Sequence, residues 1–217
     1  MGVSDPEKVA RLVLELRRAG ITDARVLDAI ERVPRELFVP PAFRERAYEN
    51  VALPIGHGQT ISQPYVVALM TQTLELTERH IVLEIGTGSG YQAAILARLA
   101  RRVFTIERHR AMVKTAEERF KELRLNNVTC RFGDGTKGWL EQRKFDRIIV
   151  TAAAPAIPDP LFESLSEDGV LVAPVGEDKS DQMLTRVRRI AGGFQAEAIC
   201  VVRFVPLVAG LPRAAIR

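Results

Sequence analysis

The sequence has little cysteine, no long hydrophobic run and no signal segment at its start. Cys130 and Cys200 are its only cysteines, which excludes a disulfide framework and a cysteine-rich zinc site. No apolar run reaches the roughly 18 residues of a membrane-spanning helix, and the first residues lack the basic-then-apolar plan of a signal peptide. We therefore expect a protein of the cytoplasm with no membrane partner.

The net charge is also small, because basic and acidic residues are nearly equal in number. The formal net charge is +4, and the arginine clusters are short and interrupted, whereas a nucleic-acid surface gathers many cations on one face. Hydrophobic residues make up 47% and charged residues 27% of the 217 residues, which argues against disorder and suits one globular domain. We expect a monomer with no nucleic-acid partner.

The pattern along the chain divides a single domain, residues 1–217, into four parts. Residues 1–48 form a helical extension, in which Asp5 and Thr22 are the predicted N-caps of two helices. The other parts are a glycine-containing loop at 49–64, alternating strands and helices at 80–175, and an antiparallel hairpin at 180–207.

Strands and helices alternate in the central part. Strands are predicted at 80–85, 102–106, 128–132, 145–151 and 170–175, and helices at 91–99, 111–125 and 159–165. Helices of this size between strands imply βαβ units, a parallel sheet and helices on both of its faces. The hairpin, 182–190 and 194–205, lies at the sheet edge. The predicted fold class is α/β: a doubly wound, mostly parallel, Rossmann-like sheet with an N-terminal helical extension and a C-terminal antiparallel hairpin.

A glycine-rich turn follows the first of these strands and opens a helix. It consists of Gly86, Thr87, Gly88, Ser89 and Gly90. Glycine lets the backbone approach a ligand at the carboxyl end of a strand. A dinucleotide fingerprint needs its third glycine one place later, where Tyr91 stands. S-Adenosylmethionine fits better, and the preceding acid, Glu84, suits its positive charge; a plain turn without a ligand is the alternative.

Two acids follow at the ends of the next two strands. Glu107 stands where a carboxylate accepts hydrogen bonds from both ribose hydroxyls. Asp134, followed by Gly135, could accept a hydrogen bond from the adenine amino group. A solvated strand end and an ordinary Asp-Gly turn also explain these two acids singly. Together with the glycine turn they predict a class I methyltransferase that uses S-adenosylmethionine and releases S-adenosylhomocysteine.

Six segments then resemble the protein-L-isoaspartate (D-aspartate) O-methyltransferase family. They are residues 50–64, 82–94, 133–135, 145–155, 174–176 and 204–207. The resemblance implies methyl transfer from S-adenosylmethionine to the free carboxylate of L-isoaspartyl and D-aspartyl residues in age-damaged proteins and peptides. The methyl ester then collapses to a succinimide, which hydrolyses partly to normal aspartate. The family's serine matches Ser62, which we assign to catalysis.

The resemblance also implies where the substrate binds. The substrate-binding residues are expected to be Ile55, Gly58 and Thr60 in the loop, and Val205, Pro206 and Leu207 near the end of the chain.

The expected nucleophile explains why the loop has no obvious catalytic base. A carboxylate with an ordinary pKa near ~4 is already ionised at pH 7, so the site must supply position, which can be worth roughly 7–11 kcal/mol. We expect Ser62, with backbone groups near Gly58 and Val205, to hold the carboxylate. A helix N-cap is the alternative role of Ser62, since Pro64 follows closely.

Three other functions stay open at this point. An RNA methyltransferase is suggested by the arginine content and the isoelectric point of about 9.3. A non-catalytic S-adenosylmethionine-binding module would bind without turnover, and the glycine spacing disfavours an NAD-dependent oxidoreductase. The small apolar segment Ala152–Ala154 at a strand end argues against an amine substrate, because it holds nothing that could orient an exocyclic nitrogen.

Overall fold

The computed structural model describes residues 5–141, 143–177 and 181–212. Its N-terminal part holds the helices α1 Pro6–Arg18 and α2 Ala24–Arg32 and two 3-10 helices, Arg35–Phe38 and Pro41–Arg46. Asp5 caps α1 as predicted, because its side chain accepts a hydrogen bond from the Glu7 N–H at 3.1 Å. None of the described helices is long and apolar enough to cross a membrane.

The predicted cap of the second helix is wrong by one residue. Asp23, not Thr22, is the N-cap of α2, and its carboxylate accepts the Arg25 N–H at 2.9 Å. Thr22 is engaged elsewhere, since its N–H donates to the side-chain oxygen of Gln72 at 2.7 Å. The Asp23 N–H donates to the same Gln72 oxygen at 2.8 Å, so this contact holds the segment before α2 while the Asp23 carboxylate supplies the cap.

The other elements follow along the chain, and those of residues 80–175 alternate as predicted. They are β1 Leu53–Gly56, β2 Gln59–Ile61, α3 Pro64–Thr73, β3 Ile81–Ile85, α4 Tyr91–Ala97, β4 Arg102–Glu107, α5 Arg110–Glu122, β5 Val128–Phe132, β6 Phe145–Val150, α6 Asp159–Ser164, β7 Leu165–Val175, β8 Gln182–Ile190 and β9 Gly193–Val202. Seven strands form one sheet in the order β5-β4-β3-β6-β7-β8-β9. The pairs from β5 to β7 are parallel, and β7-β8 and β8-β9 are antiparallel. The predicted fold class is confirmed.

Helices cover the two faces of the sheet unequally. One face packs against the helices α1 to α5 through a core that includes Val82, Ile149 and Leu184. The other face packs against α6 and a 3-10 turn, with Leu161 and Trp139 in its smaller core. The strand order reverses between β3 and β6, and open α/β sheets bind ligands at the carboxyl ends of strands beside such a reversal.

The segment predicted as a loop at 49–64 contains the short antiparallel hairpin β1-β2. Its turn has left-handed backbone at three successive residues, with φ of +96° at Gly56, +52° at His57 and +69° at Gly58. Glycine adopts this conformation without steric cost, so the two glycines permit the turn. The hairpin leads directly to Ser62 and the start of α3.

Ser62 does not cap α3. The helix begins at Pro64 and its cap position is Gln63, with no side chain bonded to the first turn. In the described part of the chain the Ser62 hydroxyl has no hydrogen-bond partner, so it remains available to a ligand. The N-cap alternative was therefore wrong.

Two strand boundaries differ from the prediction. β7 begins at Leu165, five residues early, with an irregularity where Asp168 has φ of +57°. The first residues of β7 are polar, so they carry no apolar pattern from which a strand could be predicted. β9 ends at Val202, because the chain then leaves the sheet and Val205 accepts a hydrogen bond from the Ala153 N–H at 2.8 Å.

Candidate active site

A groove of three adjoining cavities lies at the carboxyl ends of β3, β4 and β6. Their volumes are about 440, 70 and 50 Å³. The first two share the lining residues Thr60, Ser62, Thr151 and Val205, and the second and third share Gln59, Gly86, Glu107 and Ala152. The groove therefore connects the hairpin β1-β2 with the glycine turn after β3.

The glycine turn has the left-handed backbone that its glycines permit. Gly86, Gly88 and Gly90 have φ of +97°, +53° and +89°. A Cβ at Gly86 would lie 2.4 Å from the Thr151 hydroxyl oxygen, and one at Gly90 would lie 3.0 Å from the Phe120 ring. Gly86, Thr87, Gly88 and Ser89 line the second cavity, whereas Gly90 packs beneath them at the start of α4.

Thr151 fixes this turn from the neighbouring strand. Its hydroxyl donates to the carbonyls of Ile85 and Gly86, at 3.0 and 2.7 Å, and it lines the two larger cavities. Thr151 was not among the predicted site residues. Its position at the carboxyl end of a strand next to β3 was the signal that could have found it.

Glu107 lies between the second and third cavities, at the end of β4. Its carboxylate accepts the Gly88 N–H and the His109 N–H, each at 2.9 Å. The side chain thus ties the glycine turn to the start of α5 and retains acceptor capacity toward the groove, because each carboxylate oxygen has two lone pairs.

Asp134 lies at the end of β5 and is already hydrogen-bonded. Its carboxylate accepts from the Thr136 N–H at 3.0 Å and from the Gly210 N–H at 2.7 Å. Burial tends to raise the pKa of Asp134, but the hydrogen bonds from Thr136 and Gly210 outweigh it and hold the pKa below its ordinary value. Gly135 lines the third cavity. A Cβ at Gly135 would lie 2.4 Å from Ile85 Cγ2.

Glu84 contributes no surface to the groove, because its side chain is fully buried beneath the glycine turn. One of its oxygens accepts from the Thr105 hydroxyl at 2.5 Å, and Thr105 is 2.6 Å from the Thr87 hydroxyl. The other oxygen, Oε1, has no hydrogen-bond partner among the described residues. Burial raises the pKa of Glu84 to about 8, against the opposing effect of Thr105. The carboxyl is therefore mostly neutral at pH 7.

The residues expected to bind the substrate are divided between the cavities. Thr60, Ser62 and Val205 line the largest one. Pro206 and Leu207 line the third cavity, near Glu107. Ile55 lines a separate space of about 100 Å³ on the other side of Gly88. Gly58 lines none of these four cavities and forms the hairpin turn instead.

The largest cavity also contains residues that no motif indicated. Tyr65 of α3 and the segment Cys200–Arg203 form part of its walls beside the predicted Val205, and Arg203 forms an ion pair with Asp181 at 2.7 Å at the rim. The last residues of β9 reach this cavity only because β9 is the edge strand of the sheet. That arrangement follows from strand order, which local sequence does not encode.

Comparisons with known proteins show the family of this chain. A family model described as protein-L-isoaspartate(D-aspartate) O-methyltransferase matches residues 7–211. A protein-L-isoaspartate O-methyltransferase of Paramagnetospirillum magneticum is 57% identical over 206 residues, covering 94% of this chain and 96% of that protein. One of Rhodospirillum centenum is 55% identical over 207 residues, covering 95% and 94%.

Two solved structures share both the sheet and the extension. A structure described as a protein-L-isoaspartate O-methyltransferase has a TM-score of 0.83 at 27% identity, covering 93% of this chain and 66% of that one. Another, from Plasmodium falciparum and in complex with S-adenosyl-L-homocysteine, has a TM-score of 0.80 at 27% identity, covering 91% and 97%. By the extent of the family match and the identity of its relatives, the chain belongs to the protein-L-isoaspartate(D-aspartate) O-methyltransferase family.

Proposed function

We propose that this chain transfers a methyl group from S-adenosylmethionine to the free carboxylate of L-isoaspartyl and D-aspartyl residues in damaged proteins. The observation that carries the proposal is the continuity of the groove. It brings Ser62 and Val205, near which a peptide would bind, into the same cavity wall as Thr151, beside the glycine turn. Esterification then starts repair, because the methyl ester closes to a succinimide that opens partly to normal aspartate.

The acceptor groups around the glycine turn fit S-adenosylmethionine, which supplies an electrophilic methyl group. The Glu107 carboxylate is matched to a pair of ribose hydroxyls. The Asp134 carboxylate accepts a backbone N–H from Gly210, and an adenine amino group would offer it the same kind of donor. Gly86, Thr87, Gly88, Ser89 and Gly135 present backbone and small side chains to the groove, while Gly90 and Glu84 support the turn from beneath.

The substrate end of the groove can orient a carboxylate that is already ionised. A catalytic role for Ser62 is supported by its hydroxyl, which has no competing hydrogen-bond partner in the described part of the chain. Thr60 and Val205 stand beside it, and Pro206 and Leu207 continue the wall toward Glu107. Ile55 and Gly58 act through the shape of the hairpin. No general base is required, because the nucleophile carries its negative charge before it binds.

The remaining features of the proposal concern the whole protein. The chain acts as one domain, with the parts 1–48, 49–64, 80–175 and 180–207. The extension and the loop cover the cofactor core, and the hairpin forms a wall of the substrate cavity. We expect the chain to work as a monomer in the cytoplasm, on damaged proteins and peptides of many sequences.

The arginine content does not favour RNA as a second substrate. Arg186 and Arg188 form ion pairs with Glu75 at 2.7 and 2.8 Å, and Arg189 pairs with Glu167 at 2.7 Å. These cations are therefore balanced by nearby acids, whereas phosphate recognition needs an excess of positive charge on one face.

One assay tests the proposal against the other functions. Methyl-labelled S-adenosylmethionine is offered to an isoaspartyl peptide, to its normal aspartyl twin and to a structured RNA. We expect base-labile label in the isoaspartyl peptide alone. Label in RNA, equal label in both peptides, or tight cofactor binding without turnover would each refute it.

A further inference from the structure

Arg35 is a buried cation that neither the groove nor the sequence motifs account for. It opens the 3-10 helix Arg35–Phe38 and has no exposed surface. Arginine is almost never fully buried unless it is paired. In the described part of the chain, however, no carboxylate oxygen lies within 4.0 Å of its guanidinium nitrogens.

The partners of Arg35 are backbone carbonyls of the segment that carries the substrate loop. Its Nε donates to the Ala47 carbonyl at 2.8 Å, and its Nη2 donates to the Ser62 carbonyl at 2.8 Å and to the Val51 carbonyl at 3.4 Å. These acceptors stand before and after the hairpin β1-β2. One guanidinium therefore closes the base of the hairpin on which Ser62 is presented.

The same guanidinium also contacts the cofactor side of the groove. Its carbon lies 4.8 Å from the ring centroid of Tyr91, the first residue of α4 after the glycine turn. Tyr91 and Ser62 both line the second cavity. Arg35 thus contacts the backbone of Ser62 on the substrate side and the ring of Tyr91 on the cofactor side, although it lines none of the four cavities itself.

We propose that Arg35 is a positioning residue for methyl transfer, which sets the position of Ser62 relative to the glycine turn through its bonds to the loop carbonyls and its contact with Tyr91. This inference rests on the proposed function. Arginine suits the task because it presents five N–H donors in a fixed planar fork, whereas lysine has one compact ammonium. A lysine can keep the charge, but it cannot satisfy carbonyls that lie in different directions around a plane.

Arg147 provides a matched control in the same chain. It is also buried, and its guanidinium donates to the carbonyls of Leu74, Glu75 and Asp146, at 2.6, 3.3 and 2.7 Å. It stands near the start of β6, whereas the groove lies at the other end of that strand. Its replacement removes the same kind of bonds without reaching Ser62 or Tyr91.

The test compares Arg35→Lys with Arg147→Lys, using an isoaspartyl peptide and counting active sites by titration with S-adenosylhomocysteine. We expect both variants to unfold at lower temperature. Per active site, Arg35→Lys should lose at least about tenfold in kcat/KM for the peptide, as expected from losing one well-placed bond. Arg147→Lys should stay within about twofold of the parent, since distant sites act independently.

The split between kinetic parameters separates positioning from mere stability. Arg35→Lys should change the dissociation constant of S-adenosylhomocysteine far less than it changes kcat/KM. Arg35→Met provides a second variant with a similar unbranched shape. It is folded in the presence of S-adenosylhomocysteine, and it is assayed after that ligand has been removed. Equal kcat/KM per active site in the Arg35 and Arg147 variants would overturn the inference while leaving the proposed function intact. A parent protein inactive on isoaspartyl peptides would instead refute the function itself.

Discussion

At the scale of single residues, Ser62 combines an uncommitted hydroxyl with a fixed backbone. Its carbonyl is held by Arg35 at 2.8 Å, and the residue lines the first and second cavities of the groove. We predict that Ser62→Ala lowers kcat for an isoaspartyl peptide by about 10- to 100-fold, since a hydrogen bond to a charged group contributes roughly 1.5–3 kcal/mol. Cofactor affinity, measured by calorimetry with S-adenosylhomocysteine, should change little.

Ser164→Ala is the control for this substitution. Ser164 donates to the Pro160 carbonyl at 2.7 Å within α6, so its loss affects local stability and not the groove. Turnover near the parent value in a folded Ser62→Ala protein would show that the hydroxyl does not orient the carboxylate.

Glu84 gives the folded protein a pH-dependent stability of unusual sign for an acid. Burial raises its pKa from 4.5 to about 8, so between these values the folded state binds a proton that the unfolded state releases. Stability from this group is complete below the unfolded pKa and is lost as the pH rises through the folded pKa. Within that window the slope approaches about 1.4 kcal/mol per pH unit.

Glu84→Gln should remove this slope, because the amide keeps the shape and does not titrate. Urea unfolding at pH 5, 6, 7 and 8 would measure it, with the parent losing stability toward pH 8 relative to the variant. Parallel pH profiles for the two proteins would mean that Glu84 is ionised when folded, and that Oε1 has a partner in solution.

At the scale of elements, the glycine turn and Thr151 of the adjoining segment form one unit. A Cβ at Gly86 would lie 2.4 Å from the Thr151 hydroxyl oxygen, while Gly192, with φ of +85°, has nothing within 4 Å of such an atom. Both Gly86→Ala and Gly192→Ala carry the strain of left-handed backbone, about 1–2 kcal/mol. Only Gly86→Ala should also displace Thr151 and weaken S-adenosylhomocysteine binding, by roughly 1–3 kcal/mol.

Calorimetry on these two variants, with urea unfolding in parallel, separates backbone strain from displacement. The double variant Gly86→Ala/Thr151→Ala should recover part of the affinity, because the obstructing hydroxyl is gone. Unchanged affinity in Gly86→Ala would contradict a role for Thr151 in shaping the turn.

The elements also show which features local sequence encodes. β5 was predicted with the bounds that the structure has, because a short segment with β-branched and aromatic residues is flanked by two asparagines before it and by Gly133 and Asp134 after it. The hairpin β1-β2 was predicted only as a loop, since three- and four-residue strands carry too little periodicity. The polar start of β7 was missed for a related reason: Ser166, Glu167 and Asp168 carry no apolar pattern, and they stand where the register between β7 and β6 shifts.

At the scale of the whole molecule, the parallel sheet and its edge hairpin followed from the order of strands and helices. The glycine turn, Glu107 and Asp134 were expected together because parallel strands end at one edge. What the sequence could not give were contacts across long distances. The bond from Gly210 to Asp134, the approach of Val205 to Ala153 and the three carbonyls around Arg35 all depend on the finished fold.

The distribution of charge leads to a prediction for the molecule as a whole. With a formal net charge of +4 and the cluster Arg186–Arg189 balanced by glutamates, binding of a peptide should depend little on salt. We expect KM for an isoaspartyl peptide with neutral flanks to change by less than about twofold between 50 and 500 mM salt, because exposed ion pairs contribute little and are screened. A nucleic-acid site would lose about 10³–10⁵ in affinity over a smaller range.

Peptides with acidic flanks provide the internal comparison. Arg203 stands at the rim of the substrate cavity, with its side chain 82% exposed and paired with Asp181 at 2.7 Å. An acidic flank must compete with Asp181 for this cation, so it should lower KM only modestly at low salt and lose that advantage as salt rises. A steep salt dependence for the neutral peptide, or inhibition by RNA that disappears with salt, would instead place an uncompensated basic surface beside the groove. The contrast between the two peptides therefore assigns the electrostatic contribution to the rim and leaves orientation of the carboxylate to Ser62 and its backbone support.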